Sequence, residues 1–482
     1  MASLSVPWGD TSTSRGGYHL VWPRDLVETA GALVAMESYR DARDVLRYLI
    51  ATQHQDGHWF QNQWLGGRPF WQGVQLDEAA FPILLASLLQ ERDALDGIPI
   101  KDMVTRAVGF IARSGPTTSQ DRWEEDAGLN TFTLAVAIAA LVEGSEHLDG
   151  AAKEHALRLA DYWSARLEAW AFVRGTPLAE TLGVSGYYIR TVPLDMLGSN
   201  RVLTESVVIK NLDHDPDLPA SGQVSTDCLQ LVRYGLRAAD DPFITDSIKV
   251  IDHLLKTDTP SGPVWHRYND DGYGEHDDGS GFNGTGHGRG WPLLTGERGH
   301  YALSAGADVT PYVDAMMAMS SPLGLIPEQV WDTAPITADD LVPGKPSGSA
   351  MPLVWAHAEF AKLCHSLALG RPVDRPKATW ARYGGVRPAI DYDVWGPSFR
   401  PSHIQAGHTL IIALTAPAQV HFGLNGWKDI QDLDTTDTGL GVHVAELPTE
   451  ALKTGDSVQL TFLWRDSQTW EGRNYEVAIV AP

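Results

Sequence analysis

The stretch DRWEEDAGLNTFTLAVAIAALVEGSEHL, residues 121–148, begins with a loop rich in Trp and acidic residues and continues as an apolar run of helical length. The apolar spacing predicts a helix over residues 128–143, and a second helical pattern follows over residues 149–168. Only the short turn 144–148 separates the two. We therefore expect these helices to lie side by side and antiparallel.

The same pattern of paired helices extends through most of the chain, from residue 25 to about residue 367. Apolar periodicity and helix breakers predict eleven helices, over residues 25–38, 41–53, 77–92, 101–113, 128–143, 149–168, 225–239, 242–256, 292–306, 308–319 and 349–367. They form close pairs with short internal turns and longer, Gly-, Pro- and Asp-rich connections between pairs. This pattern is typical of a mainly α, up-and-down array.

From about Lys377 onward the pattern changes to that of strands. Segments such as HTLIIALT (408–415), AQVHFGL (418–424) and SVQLTFLW (457–464) are rich in β-formers and are separated by turn residues. We therefore predict a helical domain over residues 1–370 and a C-terminal β-sandwich domain over residues 377–482.

Composition restricts the substrate. The 61 acidic side chains exceed the 37 basic ones and give a formal net charge of −24, which argues against nucleic acid and anionic membranes as partners and favours a neutral or cationic substrate. No apolar run has the length of a membrane-spanning helix, and MASLSVPWGD at the start does not resemble a signal peptide. The 17 Trp outnumber the 14 Tyr and the 12 Phe. Indole rings suit sugar faces, although on composition alone the filling of a large core is the favoured explanation of this excess.

The unusual residues precede alternate helices. In an up-and-down array, every loop that enters an odd-numbered helix lies at the same end, so these segments should converge on one face. The segments are YHLVWPRD (18–25), WQGVQLDE (71–78), DRWEEDAG (121–128), GHGRGWPLLTGE (286–297) and LGLIPEQVWD (323–332). Together they supply carboxylates, guanidinium groups and indoles. Paired carboxyl groups are the machinery of glycosidic bond hydrolysis, whereas each motif taken alone has an ordinary structural explanation, such as acidic residues at a helix N-terminus.

Other motifs fit other functions poorly. Residues 279–284 match a dinucleotide fingerprint in spacing, but no apolar strand precedes them. The acidic stretch 268–279 does not fit the EF-hand pattern, which leaves an irregular calcium site as an open alternative. His54 and His58 are four residues apart, but Asp56-Gly57 should break a helix between them, and zinc-binding motifs are lacking. The G-x-S-x-G motif of serine hydrolases is absent as well.

Several segments in this order resemble glycoside hydrolase family 15, most closely its bacterial glucoamylases and glucodextranases. They are YHLVWPRDL (18–26), QDGHWFQNQW (55–64), GVQLDEAAFPILLA (73–86), RWEEDAGLN (122–130), GRGWPLLTGERGHYAL (288–303) and GLIPEQVWD (324–332). DTGLGVHVAELPT (437–449) resembles the C-terminal β domain of those bacterial enzymes. The resemblance implies an (α/α)6 barrel of twelve helices. We expect this chain to contain about eleven of them, and to lack the N-terminal β-sandwich domain and the first barrel helix of the bacterial enzymes.

The resemblance also implies residue roles. Glu124 would be the general acid and Glu328 the general base. The substrate-binding residues implied are Tyr18, Trp22, Arg24, Asp25, Trp71, Gln75, Asp77, Trp123, Glu125, Arg289, Trp291 and Glu297. The surroundings of Glu124, including Trp123 and the like charge of Glu125, should raise its pKa.

The resemblance implies an inverting, exo-acting hydrolase that releases β-D-glucose from the non-reducing ends of α-glucans, with no metal or organic cofactor. The alternatives are a glucodextranase acting on α-1,6 linkages, a hydrolase of isomaltose or trehalose, and an inactive, truncated glucan-binding fragment. An extracellular location is suspected from the resemblance alone.

Overall fold

The computed structural model describes residues 1–9 and 17–481. The helices are α1 (Pro23–Ala35), α2 (Tyr39–Thr52), α3 (Leu76–Glu91), α4 (Lys101–Ser114), α5 (Thr131–Ser145), α6 (Gly150–Ala171), α7 (Pro177–Leu182), α8 (Leu229–Arg233), α9 (Pro242–Leu254), α10 (Pro292–Ser304), α11 (Thr310–Met319), α12 (Val354–Leu369) and α13 (Lys377–Tyr383). Short 3-10 turns occupy Pro7–Gly9, Gly17–His19, Leu194–Met196, Asn200–Leu203, Ala220–Gly222 and Thr337–Asp339.

A closed ring of inner helices forms the barrel. Helices α1, α3, α5, α8, α10 and α12 follow one another around it, and α12 returns to α1. Helices α2, α4, α6 and α11 lie outside, each against the inner helix that precedes it. Helix α9 contacts α7 and two short strands, β2 (Tyr187–Tyr188) and β3 (Lys256–Thr259). The (α/α)6 fold class implied by the resemblance is confirmed.

Burial explains why the two layers differ in sequence. Every residue of the inner helix α5 is buried, so it is apolar around its whole circumference. The outer helix α2 buries only Ala42, Leu46 and Leu49, which lie on one stripe. The spacing of apolar residues therefore distinguishes these two helices.

One predicted helix is much shorter in the structure. The pattern over residues 225–239 yields only α8, because the chain turns at Gly235, which has a φ of 75°. A Cβ at Gly235 would lie 2.2 Å from the ring of Trp380, so this position requires glycine. The helices α7 and α13 were not predicted.

The strands are short within the barrel and longer after it. β1 (Phe172–Val173) pairs with β2 (Tyr187–Tyr188), and β3 (Lys256–Thr259) pairs with β4 (Gly262–Trp265). The later strands are β5 (Tyr392–Trp395), β6 (His403–Gln405), β7 (Thr409–Leu414), β8 (Ala418–Leu424), β9 (Lys428–Asp434), β10 (Thr436–Asp437), β11 (His443–Leu447), β12 (Ser457–Trp464), β13 (Thr469–Trp470) and β14 (Tyr475–Val480).

The later strands form two sheets, in the orders β10-β11-β7-β5 and β6-β14-β12-β8-β9, with β13 paired to β12. Strand β7 is covered on both faces. Leu410, Ile412 and Leu414 belong to the core between the sheets, whereas Ile411 and Ala413 belong to the barrel core. This double burial accounts for the unbroken apolar run in the strand.

The segment assigned to the C-terminal domain begins with a helix that packs on the barrel. In α13, the backbone N–H of Thr379 donates to Glu143 of α5 over 2.9 Å. The strands themselves begin only at Tyr392. None of the helices in the described parts of the chain is long and apolar enough to cross a membrane.

Candidate active site

A cavity of about 700 Å³ lies at one end of the barrel, among the loops that enter the inner helices. The predicted site residues that line it are Tyr18, Trp22, Arg24, Asp25, Trp71, Trp123, Glu124, Glu125, Trp291 and Glu328. The predicted residues that do not line it are Gln75, Asp77, Arg289 and Glu297.

Asp121 shapes the turn that carries Glu124. Its buried carboxylate accepts hydrogen bonds from the backbone N–H groups of Trp123 at 3.2 Å and Glu125 at 3.0 Å. Glu124 itself has a φ of 67°, in the left-handed region that residues with a side chain seldom adopt. Such a conformation persists when the surrounding contacts impose it, and here the Asp121 turn does so.

Two donors hold the carboxyl group of Glu124. The indole Nε1 of Trp22 donates to Oε1 over 2.5 Å, and the amide of Gln61 donates to Oε2. Burial raises the pKa of Glu124 to about 7; Arg24 opposes this rise and Asp25 adds to it. The carboxyl group therefore retains a proton close to neutral pH. Burial, rather than the charge of Glu125, is the main cause.

Glu328 is anchored through one oxygen only. The hydroxyl of Tyr18 donates to its Oε1 and lies 2.7 Å from the hydroxyl of Tyr273. Glu328 is 1% exposed, and its Oε2 has no hydrogen-bond partner among the described residues. Burial raises the pKa of Glu328 to about 7, against the opposing effect of the Tyr18 hydrogen bond. When ionised, the group offers a free oxygen that can accept a proton.

Glu125 is held by a cluster of donors. Its carboxylate accepts hydrogen bonds from Arg190 at 2.7 Å, Tyr268 at 2.5 Å, Arg267 at 3.0 Å and Asn211 at 3.2 Å. With two guanidinium groups in contact, this carboxylate is neutralised within the cavity wall. Glu125 therefore differs chemically from its neighbour Glu124.

Arg24 is supported from behind by two of the predicted substrate-binding residues. Its Nη1 lies 2.5 Å from Gln75 Oε1 and 3.3 Å from Asp77 Oδ2, and both of these side chains are fully buried. Its Nη2 lies 3.4 Å from Asp25. Gln75 and Asp77 thus contact Arg24 instead of the cavity, which corrects their predicted placement.

The sequence model of the family described as Glycosyl hydrolases family 15 matches residues 1–365. The chain belongs to glycosyl hydrolases family 15. It is 38% identical over 393 residues to a glucoamylase of Clostridium sp. (strain G0005), covering 80% of this chain and 52% of that protein. The chain thus spans about half the length of the curated relative that it matches.

Solved structures agree with the family assignment. The crystal structure of a bacterial glucoamylase complexed with acarbose matches with a TM-score of 0.71 at 38% identity, over 79% of this chain and 54% of that one. A family 15 glucoamylase from Hypocrea jecorina matches with a TM-score of 0.52 at 15% identity, over 98% of this chain and 91% of that one, and shares the fold alone.

The placement of Arg289 in this family 15 chain differs from the prediction. Its guanidinium donates to the carbonyl of Glu275 at 2.6 Å and to Asp277 at 3.0 Å, and it lies 3.4 Å from Asp332. These partners hold it at the wall of a second, smaller cavity. Arg267, like Arg24 and Arg122, lines the larger cavity, where it donates to Glu125 and also to Asp271 at 2.6 Å.

Glu297 also has a structural partner. Its carboxylate accepts two hydrogen bonds from Arg122, at 2.7 and 3.2 Å, and Arg122 is the residue of this pair that lines the cavity. Arg122 in turn lies under the ring of Trp123, 4.6 Å from its centroid. The prediction therefore located this region but assigned the wrong member of the ion pair to the cavity.

Indole rings form much of the cavity wall. The rings of Trp123 and Trp291 lie 5.2 Å apart, and their Nε1 atoms are buried without a partner among the described residues. Trp22 and Trp71 lie 6.4 Å apart, with Trp71 43% exposed at the rim. Apolar faces with unpaired donors suit a ligand that carries both C–H faces and hydroxyl groups.

Sequence reasoning missed several residues that contact the site. Arg267, Tyr273 and Trp355 line the cavity, and Gln61 contacts the carboxyl group of Glu124. Arg267 and Tyr273 fall within or beside the acidic stretch that was weighed only as a calcium loop, and Gln61 lies inside QDGHWFQNQW. In that stretch, Asp271 pairs with Arg267 and Asp277 with Arg289, so these carboxylates neutralise arginines.

Proposed function

We propose that the chain is an inverting, exo-acting α-glucoside hydrolase that releases β-D-glucose from the non-reducing ends of α-glucans, with a preference for α-1,4 linkages. The observation that carries this proposal is the pair Glu124 and Glu328. Both carboxyl groups line one cavity, Glu328 is buried and Glu124 is partly buried, and they differ in what holds them. Paired carboxyl groups of this kind perform glycoside hydrolysis.

In the proposed reaction, protonated Glu124 donates its proton to the glycosidic oxygen as the bond from that oxygen to the anomeric carbon breaks. A water molecule attacks the anomeric carbon from the opposite face and gives a proton to Oε2 of ionised Glu328. The anomeric configuration inverts, and proton exchange with solvent restores both groups. No cofactor has a part in these steps.

The cavity wall favours a neutral sugar. Arg24 and Asp25 lie together on it, Arg267 is balanced by Glu125 and Asp271, and Arg122 by Glu297 and Asp227. Charges paired in this way present hydrogen-bonding groups without a net attraction for ions, while the indoles offer flat apolar faces.

Two relatives support the substrate class. The matched Clostridium protein is a glucoamylase, and the matched bacterial glucoamylase was crystallised with acarbose. We extend an α-glucan substrate and an extracellular location to this chain by analogy with these glucoamylases.

The proposal is tested with the full chain and a panel of maltooligosaccharides, maltose, isomaltose and trehalose, with the product anomer followed by proton NMR. We expect the fastest turnover on α-1,4 substrates and β-glucose as the first product. Faster turnover of isomaltose would move the assignment to α-1,6 linkages. Initial release of α-glucose, or no turnover of any substrate, would overturn the proposal.

A further inference from the structure

A cluster of two imidazoles and one carboxylate lies in the loop after α2. His54 Nδ1 is 3.0 Å and His58 Nδ1 is 2.5 Å from the same oxygen, Oδ1 of Asp56. The two rings lie 4.6 Å apart, and the three potential ligand atoms are all within 4.8 Å of one another. His54 and Asp56 are exposed, whereas His58 is buried between Phe60 and Phe110.

A rigid turn brings the three side chains together. The N–H of His54 donates to the carbonyl of His58 at 2.9 Å, and the N–H of Gly57 donates to the carbonyl of His54 at 3.1 Å. Gly57 has a φ of 110°, and a Cβ there would lie 2.0 Å from the carbonyl oxygen of Arg106 in α4. The Asp-Gly break that argued against a helical metal motif is therefore the feature that makes the side chains converge.

The hydrogen bonding of the cluster is uneven. Both imidazoles contact Oδ1 of Asp56, whereas no side-chain or backbone donor among the described residues hydrogen-bonds to Oδ2. A single cation between the two Nδ1 atoms and Oδ1 would be bound by all three atoms in place of these contacts. With metal–ligand bonds of about 2.0–2.2 Å in a tetrahedral arrangement, neighbouring ligand atoms lie about 3.4 Å apart. The two N···O distances of 3.0 and 2.5 Å therefore have to lengthen by roughly 0.4 and 0.9 Å when the ion binds.

We propose that His54, Asp56 and His58 form a binding site for a divalent transition metal, with Zn²⁺ as the ion that best fits two imidazoles and one carboxylate. Water completes the coordination from the exposed side. The carbonyl of Asp56 accepts a hydrogen bond from Arg113 at 2.7 Å, which holds the backbone of the loop at this residue. This proposal does not depend on the proposed function.

The site would stabilise a loop that reaches the catalytic cavity. Three residues after His58, Gln61 donates to Glu124. Arg113 also donates to the carbonyl of Leu440 at 2.7 Å, which connects the same loop to the C-terminal sheets. Bound metal is therefore expected to raise the thermal stability of the chain without entering the reaction.

The test is calorimetric titration of the full chain with ZnCl₂ after treatment with a chelator, together with thermal unfolding with and without Zn²⁺. His54→Ala removes one exposed ligand and should leave the fold intact. His287→Ala is the matched control, because His287 is also exposed and pairs with an aspartate, Asp277, at 2.9 Å.

We expect the wild type and His287→Ala to bind one more equivalent of Zn²⁺ than His54→Ala, or to bind it on the order of 100-fold more tightly. We also expect Zn²⁺ to raise their melting temperature but not that of His54→Ala. Absence of saturable binding to the wild type, or equal binding and equal thermal shifts in the wild type and His54→Ala, would overturn the proposal.

Discussion

Arg267 Nη2 donates to Glu125 Oε1 over 3.0 Å at the wall of the cavity that Glu124 and Glu328 line. The same nitrogen also donates to Asp271, and the guanidinium lies within 5.7 Å of the ring centroids of Trp123 and Trp291. Arg267 is thus fixed in orientation by its carboxylate partners and by rings. A lysine at this position would keep the positive charge but would lack the planar set of N–H donors with which the guanidinium binds two carboxylates.

Arg267→Lys is therefore expected to lower kcat/KM on maltooligosaccharides about 10- to 100-fold, which corresponds to one charged hydrogen bond of about 1.5–3 kcal/mol. Arg289→Lys is the control. Arg289 is buried on carbonyl and carboxylate partners outside this cavity, so its substitution should lower the free energy of unfolding while kcat/KM stays within about threefold. The reverse pattern in steady-state kinetics and urea unfolding would contradict the placement of both residues.

Glu124→Gln and Glu328→Gln should each lower kcat on maltose by about 10²- to 10⁴-fold, because each removes one proton-transfer group. The two variants should differ on α-glucosyl fluoride. Fluoride departs without protonation, so Glu124→Gln should recover much of its rate and Glu328→Gln should not. Circular dichroism checks that both variants are folded. Near-normal turnover of maltose by either variant would remove that residue from the mechanism.

The pH profile follows from the two raised pKa values. Glu328 must be ionised and Glu124 protonated, and the pKa of each lies at about 7. Activity should rise with pH as Glu328 ionises and fall as Glu124 loses its proton, which gives a narrow bell near neutral pH in kcat/KM. A broad plateau from pH 4 to pH 8 would contradict this expectation.

The raised pKa of Glu328 also affects stability. Below its usual pKa of 4.5 the Glu328 side chain is protonated in both the folded and the unfolded chain, so its burial carries no cost of ionisation. Above a pH of about 7 the side chain is ionised in the folded chain as well, and burying the charge lowers the free energy of unfolding. The penalty grows between these pH values to about 3 kcal/mol. The free energy of unfolding of Glu328→Gln, relative to wild type, should therefore increase by about that amount from pH 4.5 to pH 8 in urea titrations.

Gln61 offers a separate test of how Glu124 is positioned. Its amide donates to Glu124 Oε2 and so favours the ionised form. Gln61→Leu should raise the pKa of Glu124 and shift the alkaline limb of kcat/KM upward by about 0.5 to 1 pH unit, with the acidic limb unchanged. Gln63→Leu is the control, because the Gln63 amide donates to Tyr48 at 3.1 Å instead. Equal profiles for the two variants would contradict this role.

The parts of the site that could be predicted from sequence are those set by helix order. Alternation of inner and outer helices places the entering loops at one end, which predicts that Glu124, Glu328 and the indoles lie on one face, and they line one cavity in the structure. The prediction could not distinguish a residue that lines the cavity from a residue that lies behind it and binds it from the side away from the cavity. Gln75, Asp77 and Glu297 occupy the same loops or helix starts as lining residues, and only packing decides which side chain faces the cavity.

Arg267 and Arg289 illustrate a second limit. Both lie in polar loops with neighbouring aspartates, and both form ion pairs in the structure. The loops 266–289 fold back on themselves through long-range contacts, such as the hydrogen bond from the N–H of Gly288 to the carbonyl of Asp271 at 2.6 Å. Local periodicity carries no information about such long-range contacts. For the same reason the predicted helix over residues 225–239 is too long, because the close packing of Gly235 against Trp380 is a long-range contact.

Because strand β7 is buried on both faces, we expect the helical region and the C-terminal sheets to unfold as a single cooperative unit. Ile411 and Ala413 complete the barrel core, while Leu410 and Ile412 complete the core between the sheets. Separating the regions would expose an apolar face on each, so the sheets excised alone should self-associate rather than remain monomeric. In the intact chain, unfolding of either region should destabilise the other, so both should unfold in one thermal transition.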